Sequence, residues 1–367
     1  MINLKILQPS LSKYKKIASF LRTIDRNKIY SNFGPLYQKS YFKVNKFLNL
    51  KKKDLTFTSS CFASLLAALL LIRSNKKYCI VSAFSFSADV HPIILAGYEP
   101  YFIDISKDTL HPELDNIENI PLHIIKNLAC AILTSPFGYP ISNQKLNQIQ
   151  KKLSVPVIYD AADTFLNLKD LDQLEKNILI ACSFHPTKTL PSNESGLLIH
   201  DKKFRKKLRS IVNFGIKNSD RNISQLSING KFSEYDAAIF LANFNDIKKI
   251  KNECKRVHNI YLDSFKKIYF CKYFNGKNTF YYSNKSLVIF DKINFAKKVK
   301  NFFIKNGIYV YLPWGKKLIC NEKPFIGYKR AKLTVAEKII KTYLFLPNYF
   351  GIKKKAIHYV CNILRKI

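Results

Sequence analysis

Residues 155–188 read VPVIYDAADTFLNLKDLDQLEKNILIACSFHPTK, and they contain two short apolar runs that each end in polar residues. The first run is rich in Val and Ile and ends at Asp160, while the second, ILIACS, ends at Ser183. Short apolar runs of this kind favour strands that are buried on both faces. The stretch therefore predicts two buried strands with Asp160 and Ser183 at their carboxyl ends, and it places Lys188 in the loop after Ser183.

Similar apolar runs alternate with helical patterns through the first two hundred residues. We predict helices at 63–73, 88–96, 143–152 and 202–213, and strands at 79–82, 100–104, 129–134, 155–159, 178–183 and 196–200. Strands that alternate with helices form a mainly parallel sheet covered on both faces, so the predicted fold class is α/β. Ligands of such sheets bind beyond the carboxyl ends of the strands, which places a site near Asp160 and Ser183.

The pattern changes after residue 233. Residues 234–270 carry apolar positions at helical spacing and predict one long helical region, which is followed by a smaller α+β portion. We place a domain boundary near residue 245 because a chain of 367 residues is long for one compact core. Residues 1–245 then form a large domain with a basic, helical N-terminal segment, and residues 246–367 form a small C-terminal domain.

The net charge of +36 is the most conspicuous global property of the chain. Binding to nucleic acid is one interpretation of this charge, and drift in composition is the other. Lys far outnumbers Arg, the lysines are scattered in twos and threes, and no helix-turn-helix, RNP or zinc-finger signature accompanies them. Charge without a readout motif specifies little, so we favour drift and expect no nucleic-acid partner. The excess charge could still attract an anionic nucleotide substrate.

The N-terminus and the cysteines bear on the location of the protein. The first residues have no sustained apolar core, and the apolar run 61–72 is shorter than the roughly 20 residues that a membrane helix needs. The eight cysteines contain no CxxC pair, which predicts neither a metal site nor a disulfide framework. We therefore expect a cytoplasmic protein without a membrane span.

Asp160, Ser183 and Lys188 together suit a site for pyridoxal 5′-phosphate (PLP). A lysine amine forms a Schiff base with the cofactor aldehyde, and an acidic residue keeps the pyridine nitrogen protonated. The Ser183 hydroxyl could donate a hydrogen bond to the phosphate. Each signal is weak alone, because a carboxylate at a strand end often caps a helix and a lysine in this chain is usually a solvated charge. The spacing by itself leaves both interpretations open.

Several blocks of the sequence, taken in order, are far more specific than any one of them. They are YSNFGPL (30–36), SSCFASLLAALLLI (59–72), SAFSFSADVHPIILAGYEPYFIDI (82–105), SPFGYP (135–140), VIYDAAD (157–163), SFHPTKTLPSNESG (183–196), NGKFSEYDAAIFLA (229–242) and FLPNYFGI (345–352). In this order and spacing the chain resembles the PLP-dependent nucleotide-sugar aminotransferases of the DegT/DnrJ/StrS type. The resemblance covers nearly the whole chain and implies the fold of the aspartate aminotransferase superfamily, fold type I.

The resemblance also implies a role for each residue that matches a family motif. Lys188 is the Schiff-base lysine, Asp160 is the partner of the pyridine nitrogen, and Phe86 stacks on the cofactor ring. Ser183 is a phosphate ligand, and the place of His185 beside Lys188 marks it as a residue of the catalytic loop.

Two further segments match parts of the family that bind the cofactor phosphate. The helix start formed by Ser60, Cys61, Phe62 and Ala63 receives the dianion through backbone N–H groups and the helix dipole. Asn229 resembles the asparagine that reaches the phosphate of a neighbouring subunit, which implies a homodimer with shared active sites.

Three residues depart from the family pattern. Phe62 stands where Thr is common, so one hydroxyl ligand to the phosphate is missing. Asp163 stands where Gln, His or a small residue is usual, near the phenolic oxygen of the cofactor, and crowding of like charges there is expected to raise its own pKa or disturb the Schiff base. Ser195 replaces a Gly, and we expect its side chain to fit poorly with the backbone geometry that a Gly accepts. A degenerate, non-catalytic descendant with a structural or regulatory role is therefore an alternative.

The activity implied by the resemblance is amino transfer between glutamate and a keto sugar of a nucleoside-diphosphate sugar. Surface-glycan or lipopolysaccharide assembly is the pathway that it suggests. A related enzyme with His in place of the lysine removes a sugar hydroxyl, so the presence of Lys188 favours transfer. Trp314 could line the mouth of the site from the C-terminal part, although burial for packing is the simpler expectation.

Overall fold

The structure is a computed structural model that describes residues 4–217, 221–274, 279–310, 314–315 and 317–367. A seven-stranded sheet dominates its first two hundred residues. Its strands are β1 (Lys53–Thr58), β2 (Tyr78–Ser82), β3 (Glu99–Ile103), β4 (Leu128–Thr134), β5 (Val157–Asp160), β6 (Ile178–Ser183) and β7 (Gly196–Asp201). They lie in the order β1-β7-β6-β5-β4-β2-β3. The strands from β3 to β6 run parallel, whereas β7 is antiparallel to both β6 and β1.

Helices cover both faces of this sheet. They are α1 (Tyr14–Asn27), α2 (Pro35–Leu48), α3 (Cys61–Ile72), α4 (Ser87–Leu95), α5 (Leu114–Glu118), α6 (Leu122–Lys126), α7 (Asn143–Leu153), α8 (Arg205–Ile211) and α9 (Glu234–Phe244). Successive side chains of a strand point to opposite faces, and Ile158 and Tyr159 of β5 accordingly belong to two different hydrophobic clusters. Since both faces are buried, the strands read as nearly continuous apolar runs, and the predicted α/β class is confirmed.

The C-terminal part contains a smaller antiparallel sheet with its own hydrophobic cluster. Its elements are α10 (Ile247–Phe265), β8 (Cys271–Phe274), β9 (Ser286–Phe290), α11 (Ile293–Lys305), α12 (Thr334–Thr342), β10 (Tyr343–Leu346) and α13 (Lys354–Arg365). The strand order is β10-β9-β8. Leu4, near the N-terminus, forms a β-bridge with Ile308 and packs in this C-terminal cluster.

The helical region predicted over residues 234–270 is mostly helical but not continuous. The chain forms two helices, α9 and α10, which are separated at Asn245 and Asp246. Short polar side chains such as Asn and Asp compete for backbone hydrogen bonds and favour helix ends, and Asp246 is the N-cap residue of α10. The predicted domain boundary near residue 245 coincides with this break and stays a prediction.

Strand β1 at the edge of the large sheet was not predicted from the sequence. It begins with two charged residues, Lys53 and Asp54, which hide the apolar pattern even though both side chains are buried. The Lys53 amine lies 2.7 Å from the carboxylate of Asp201 on β7, so ion pairing between neighbouring strands offsets the cost of burial. Among the described residues, no helix is long and apolar enough to cross a membrane.

Candidate active site

A cavity at the carboxyl ends of β4, β5 and β6 brings together most of the residues predicted from the sequence. Its volume is about 380 Å³, and its walls come from the sheet, from the starts of α3 and α4, from the loop after β6 and from the C-terminal part. The predicted residues that line it are Cys61, Phe62, Phe86, Asp160, Asp163, Ser183, His185 and Lys188. Ser60 lines it as well, whereas Ala63 is buried beneath.

Lys188 lies in a tight turn after β6 and contacts a carboxylate. Its backbone N–H donates to the carbonyl of His185 at 2.8 Å, and its Nζ lies 3.2 Å from Oδ2 of Asp163. Burial lowers the pKa of the Lys188 amine, but the charges of Asp163 and Asp160 outweigh burial, so the pKa is raised above its usual value. The amine is therefore held as an ammonium ion between two carboxylates.

Asp163 is flanked by a second lysine that the sequence did not single out. Nζ of Lys285, from the residue that precedes β9, lies 4.0 Å from Oδ1 of Asp163. Burial raises the pKa of Asp163, but Lys188 and Lys285 together lower it below its usual value. The expectation that crowding would raise the pKa of Asp163 is therefore wrong, because two nearby amines compensate its charge.

Lys285 itself is a buried amine in an unfavourable setting. It donates to the carbonyl of Thr187 at 2.9 Å and to Oδ1 of Asn284 at 2.6 Å. Burial and, to a smaller extent, the charge of Lys188 lower the pKa of Lys285 to about 8, although the charge of Asp163 opposes this shift. The cavity thus contains two amines, of which Lys285 gives up its proton more readily.

Asp160 ends β5 and faces the same cavity. Its Oδ1 accepts a hydrogen bond from the backbone N–H of Ala162 at 3.0 Å, and the Cys61 thiol lies 3.9 Å away. Burial raises the pKa of Asp160, while a hydrogen bond with Asp89 and the charge of Lys188 oppose this shift. A buried carboxylate of this kind is suited to stabilise a protonated, positively charged group that binds in the cavity.

The start of α3 forms the wall that would face a phosphate group. The side chain of Ser60 caps this helix by accepting from the backbone N–H of Ala63 at 3.1 Å. Gly196 of β7 passes so close that a Cβ atom at this position would lie 2.3 Å from the carbonyl oxygen of Ser60. Glycine is thus required here, because it allows the strand to support the helix start from behind.

The remaining predicted residues occupy different parts of the cavity wall. Phe86 is the N-cap residue of α4, and its ring is 55% exposed and faces the cavity. The Ser183 hydroxyl accepts from the backbone N–H of His185 at 3.3 Å. Nδ1 of His185 lies 2.8 Å from the hydroxyl oxygen of Thr187, and its Nε2 lies 3.7 Å from a carboxylate oxygen of Glu194, which also lines the cavity.

Two predicted residues lie apart from the cavity wall. Asn229 does not line the cavity of its own chain, and its Oδ1 accepts from Nζ of Lys231 at 2.6 Å. Ser195 has no positive φ, so the backbone strain expected there is absent. Its hydroxyl is instead buried without a hydrogen-bond partner among the described residues, which is where the cost of this departure lies.

Several residues of the cavity were not identified from the sequence. They are Asp89, Thr134, Phe137, Glu194, Lys285 and Phe345. Asp89 could have been found from the sequence, since it is the one carboxylate in a mainly apolar helix, but the abundance of lysine made Lys285 impossible to single out. Trp314 lines the cavity and also packs against Phe137 with 4.6 Å between ring centroids, so both interpretations of this residue hold.

The residues of the cavity fit PLP. An amine, a deep carboxylate and an exposed aromatic ring face one space, and the start of α3, which Gly196 supports from behind, lines the same space and suits an anion. Oδ1 of Asp163 is buried without a hydrogen-bond partner in the described part of the chain, so the cavity also retains an acceptor for a donor group.

The model of the DegT/DnrJ/EryC1/StrS aminotransferase family matches residues 12–365. The chain belongs to this family. This match confirms, at the level of the family, the prediction that the protein is a sugar aminotransferase with PLP as its cofactor. Among the described residues, no group of three His, Cys, Asp or Glu side chains could hold a metal ion.

Two proteins to which this chain is similar are named dTDP-4-amino-4,6-dideoxy-D-glucose transaminase. The Escherichia coli protein is 25% identical over 98% of this chain and 97% of its own length. The Shigella dysenteriae protein is 30% identical over 64% of this chain, and the alignment spans 63% of that relative. A Bacillus cereus structure described as a PLP-dependent aminotransferase has a TM-score of 0.90 at 24% identity and covers 99% of this chain and 100% of its own. The fold of the family is therefore preserved throughout the chain.

Proposed function

We propose that this enzyme transfers an amino group from glutamate onto the keto carbon of a nucleoside-diphosphate sugar. The supporting observation is the single cavity in which the amine of Lys188 and the carboxylate of Asp160 meet at the strand ends. The names of the two dTDP-sugar transaminases support the class of substrate. A cytoplasmic role in surface-glycan assembly completes the proposal.

The proposed substrate carries a diphosphate, and the charge of the protein suits it. The net charge of +36 attracts anions over a distance, which raises the rate of encounter. Phe137 and Trp314 provide an apolar wall of the cavity, and His185 and Lys285 provide polar groups. Aromatic walls with a few polar groups are typical of sites for small ligands.

Lys188 has the central chemical role in this proposal. PLP, when bound, supplies an electron sink for the carbon that loses a proton. The amine of Lys188 accepts that proton and delivers it to a neighbouring carbon, which is general acid–base chemistry. Asp163 stabilises the ammonium form of Lys188 at 3.2 Å, and Lys285 keeps the charge of Asp163 compensated when Lys188 is neutral.

The other predicted residues hold and orient the cofactor. When PLP is bound, Asp160 would keep a proton on the ring nitrogen, and Phe86 would pack against the ring. The N–H groups at the start of α3 and the Ser183 hydroxyl bind the phosphate. His185 orients the loop that carries Lys188, since its backbone carbonyl accepts from the Lys188 N–H.

We further propose that the enzyme acts as a homodimer. Asn229 lies outside the cavity of its own chain, as expected for a residue that reaches the phosphate of a neighbouring subunit. The preceding segment exposes Phe214, Ile223 and Leu226 at 48%, 73% and 75%, respectively. Exposed apolar side chains close together in the sequence support an interface there.

The test combines purified protein with PLP, 2-oxoglutarate and dTDP-4-amino-4,6-dideoxy-D-glucose, the sugar nucleotide that names the two relatives. We expect yellow protein, and we expect glutamate to form in proportion to the sugar consumed, because transamination is reversible. Protein that binds no PLP would contradict the enzyme, whereas protein that binds PLP without turnover of several sugar nucleotides would contradict the substrate class. The non-catalytic alternative predicts the second outcome.

A further inference from the structure

A second carboxyl group lies directly beside Asp160. Asp89 is the third residue of α4, and it is 1% exposed. Its Oδ2 accepts a hydrogen bond from the hydroxyl of Thr134 at 2.7 Å. Thr134 is the last residue of β4 and lies opposite Asp160 where β4 pairs with β5. All three side chains therefore lie together at the carboxyl ends of these two strands. Asp89 and Asp160 are thus neighbouring buried carboxyl groups, and each shifts the pKa of the other.

A hydrogen bond between two carboxyl groups requires that one of them carries a proton, because an ionised carboxylate can only accept. The groups that dominate the surroundings of Asp89 include no cation, and the titratable neighbours that sense its charge are Asp160 of β5, Cys61 of α3 and Cys79 of β2. Lys188 influences Asp160 instead. The two carboxyl groups therefore share one proton, as like charges this close cannot both be ionised.

The directions of the two pKa shifts favour Asp89 as the group that carries the proton. Burial and the charge of Asp160 raise the pKa of Asp89 well above its usual value, although the hydrogen bond from Thr134 opposes this shift. The pKa of Asp160 is also raised by burial, but the hydrogen bond from Asp89, the charge of Lys188 and the N–H of Ala162 oppose this shift. Between these two groups, Asp89 is therefore the one suited to donate and Asp160 the one suited to accept.

We propose that Asp89 is a positioning residue which, as a neutral carboxylic acid, donates to Asp160 and keeps that side chain ionised and aimed into the cofactor cavity. Without this donor, Asp160 would bind the proton itself in its buried position and could no longer stabilise a protonated ring nitrogen. Thr134 fixes the Asp89 carboxyl by donating to its other side. This inference rests on the proposed role of Asp160 toward PLP.

The first experiment measures the protonation of Asp89 without cofactor or activity. Urea unfolding of the cofactor-free protein is compared for the wild type and Asp89→Asn between pH 4.5 and pH 7. The folded protein retains a proton that the unfolded chain loses above about pH 4, so folding stability falls as pH rises. We expect the unfolding equilibrium constant of the wild type to rise by up to about tenfold per pH unit relative to Asp89→Asn. Parallel pH profiles would overturn the proposal, because Asp89 would then be ionised in the folded protein.

The second experiment uses the protein loaded with PLP and compares Asp89→Asn with Asp89→Leu. The asparagine amide still donates to Asp160, so Asp89→Asn should retain the wild-type dissociation constant for PLP and the pH titration of its absorption spectrum. Asp89→Leu lacks a donor, and it should weaken PLP binding by about tenfold or more, as expected for a lost hydrogen bond to a charged group. Equal weakening in both variants, or none in Asp89→Leu, would overturn the proposal.

Thr134→Val keeps the test sharp if Asp89→Leu fails to fold. It removes the donor that holds Asp89 and should shift the absorption titration in the same direction, with a smaller effect than Asp89→Leu. An unchanged titration would contradict the proposed positioning. These readouts are separate from the proposed reaction, since a wild-type protein that binds PLP without turning over sugar nucleotides would contradict the reaction and leave the Asp89 measurements intact.

Discussion

The amine of Lys285 lies 4.0 Å from Oδ1 of Asp163, inside the cavity that holds Lys188. The family pattern suggested that a carboxylate at position 163 would disturb the site. The second lysine removes this objection, because it supplies the positive charge that a buried carboxylate needs. Asp163 and Lys285 are therefore a compensated pair.

Two buried lysines in one cavity make the attachment site of PLP a sharp prediction. We expect Lys188→Ala to lose the covalent linkage, because the remaining amine is held by Thr187 and Asn284. Lys285→Met, the matched control, should retain the linkage at Lys188. Borohydride reduction followed by peptide mass spectrometry identifies the modified residue. A reduced adduct on Lys285 of the wild-type protein would show that the assignment of the lysines is wrong.

The lowered pKa of Lys285, about 8, predicts a pH-dependent stability. Between pH 8 and about 10.4 the unfolded chain keeps a proton at this residue that the folded protein has lost. The free energy of unfolding therefore increases with pH in this range. In Lys285→Met this gain should be absent. Urea unfolding of both cofactor-free proteins measures the difference. The same slope in both would mean that Lys285 stays charged above pH 8.

Replacing Asp163 should make the Lys188 amine easier to deprotonate. Asp163 is one of the charges that raise the pKa of Lys188, so Asp163→Asn should move the pH profile of PLP attachment to lower pH. Stopped-flow absorbance of cofactor-free protein mixed with PLP measures this profile. Asp115→Asn, a change of an exposed carboxylate, is the control and should leave the profile unchanged. A shift of the Asp163→Asn profile to higher pH would refute the proposed interaction.

Gly196 supports the start of α3, and Gly196→Ala tests that support. The new Cβ would lie 2.3 Å from the Ser60 carbonyl oxygen, which is backbone and cannot move aside without displacing the helix start. We expect a loss of about 2–4 kcal/mol in the free energy of unfolding, together with weaker PLP binding. Gly97→Ala has a positive φ but nothing within 4 Å of its Cβ, so it should cost about 1–2 kcal/mol and leave PLP binding unchanged. Equal losses in both variants would exclude the proposed close contact.

Much of the large sheet was predictable from the sequence, because strands buried on both faces read as unbroken apolar runs. The predicted strand at 178–183 agrees with β6, and the other predicted strands differ from the observed ones by one or two residues at their ends. Strand β1 could not be predicted in this way, since its first residues, Lys53 and Asp54, are charged and their burial depends on partners distant in the chain. The break between α9 and α10 was missed because apolar residues at helical spacing continue on both sides of it.

The candidate site was predictable to the extent that its residues lie in motifs. Asp160, Ser183 and Lys188 follow apolar strands, and Phe86 lies in a recognisable block. Lys285 was not predictable, because one lysine among so many carries no information and its charge partner is more than one hundred residues away. The neighbourhood of Asp89 and Asp160 likewise arises only in the folded chain, when β4 and β5 pair and the start of α4 packs against Thr134.

The positions of the two lysines in the chain have a consequence for how the protein could be controlled. Lys188 and Asp163 follow strands of the large sheet, whereas Lys285 enters from the segment before β9 of the C-terminal sheet. Any movement that draws β9 away would leave Asp163 with Lys188 as its remaining partner of these two lysines. Asp163 would then stabilise the ammonium form of Lys188 more strongly. The distance between the two sheets would thus influence how readily the Lys188 amine loses its proton and becomes reactive.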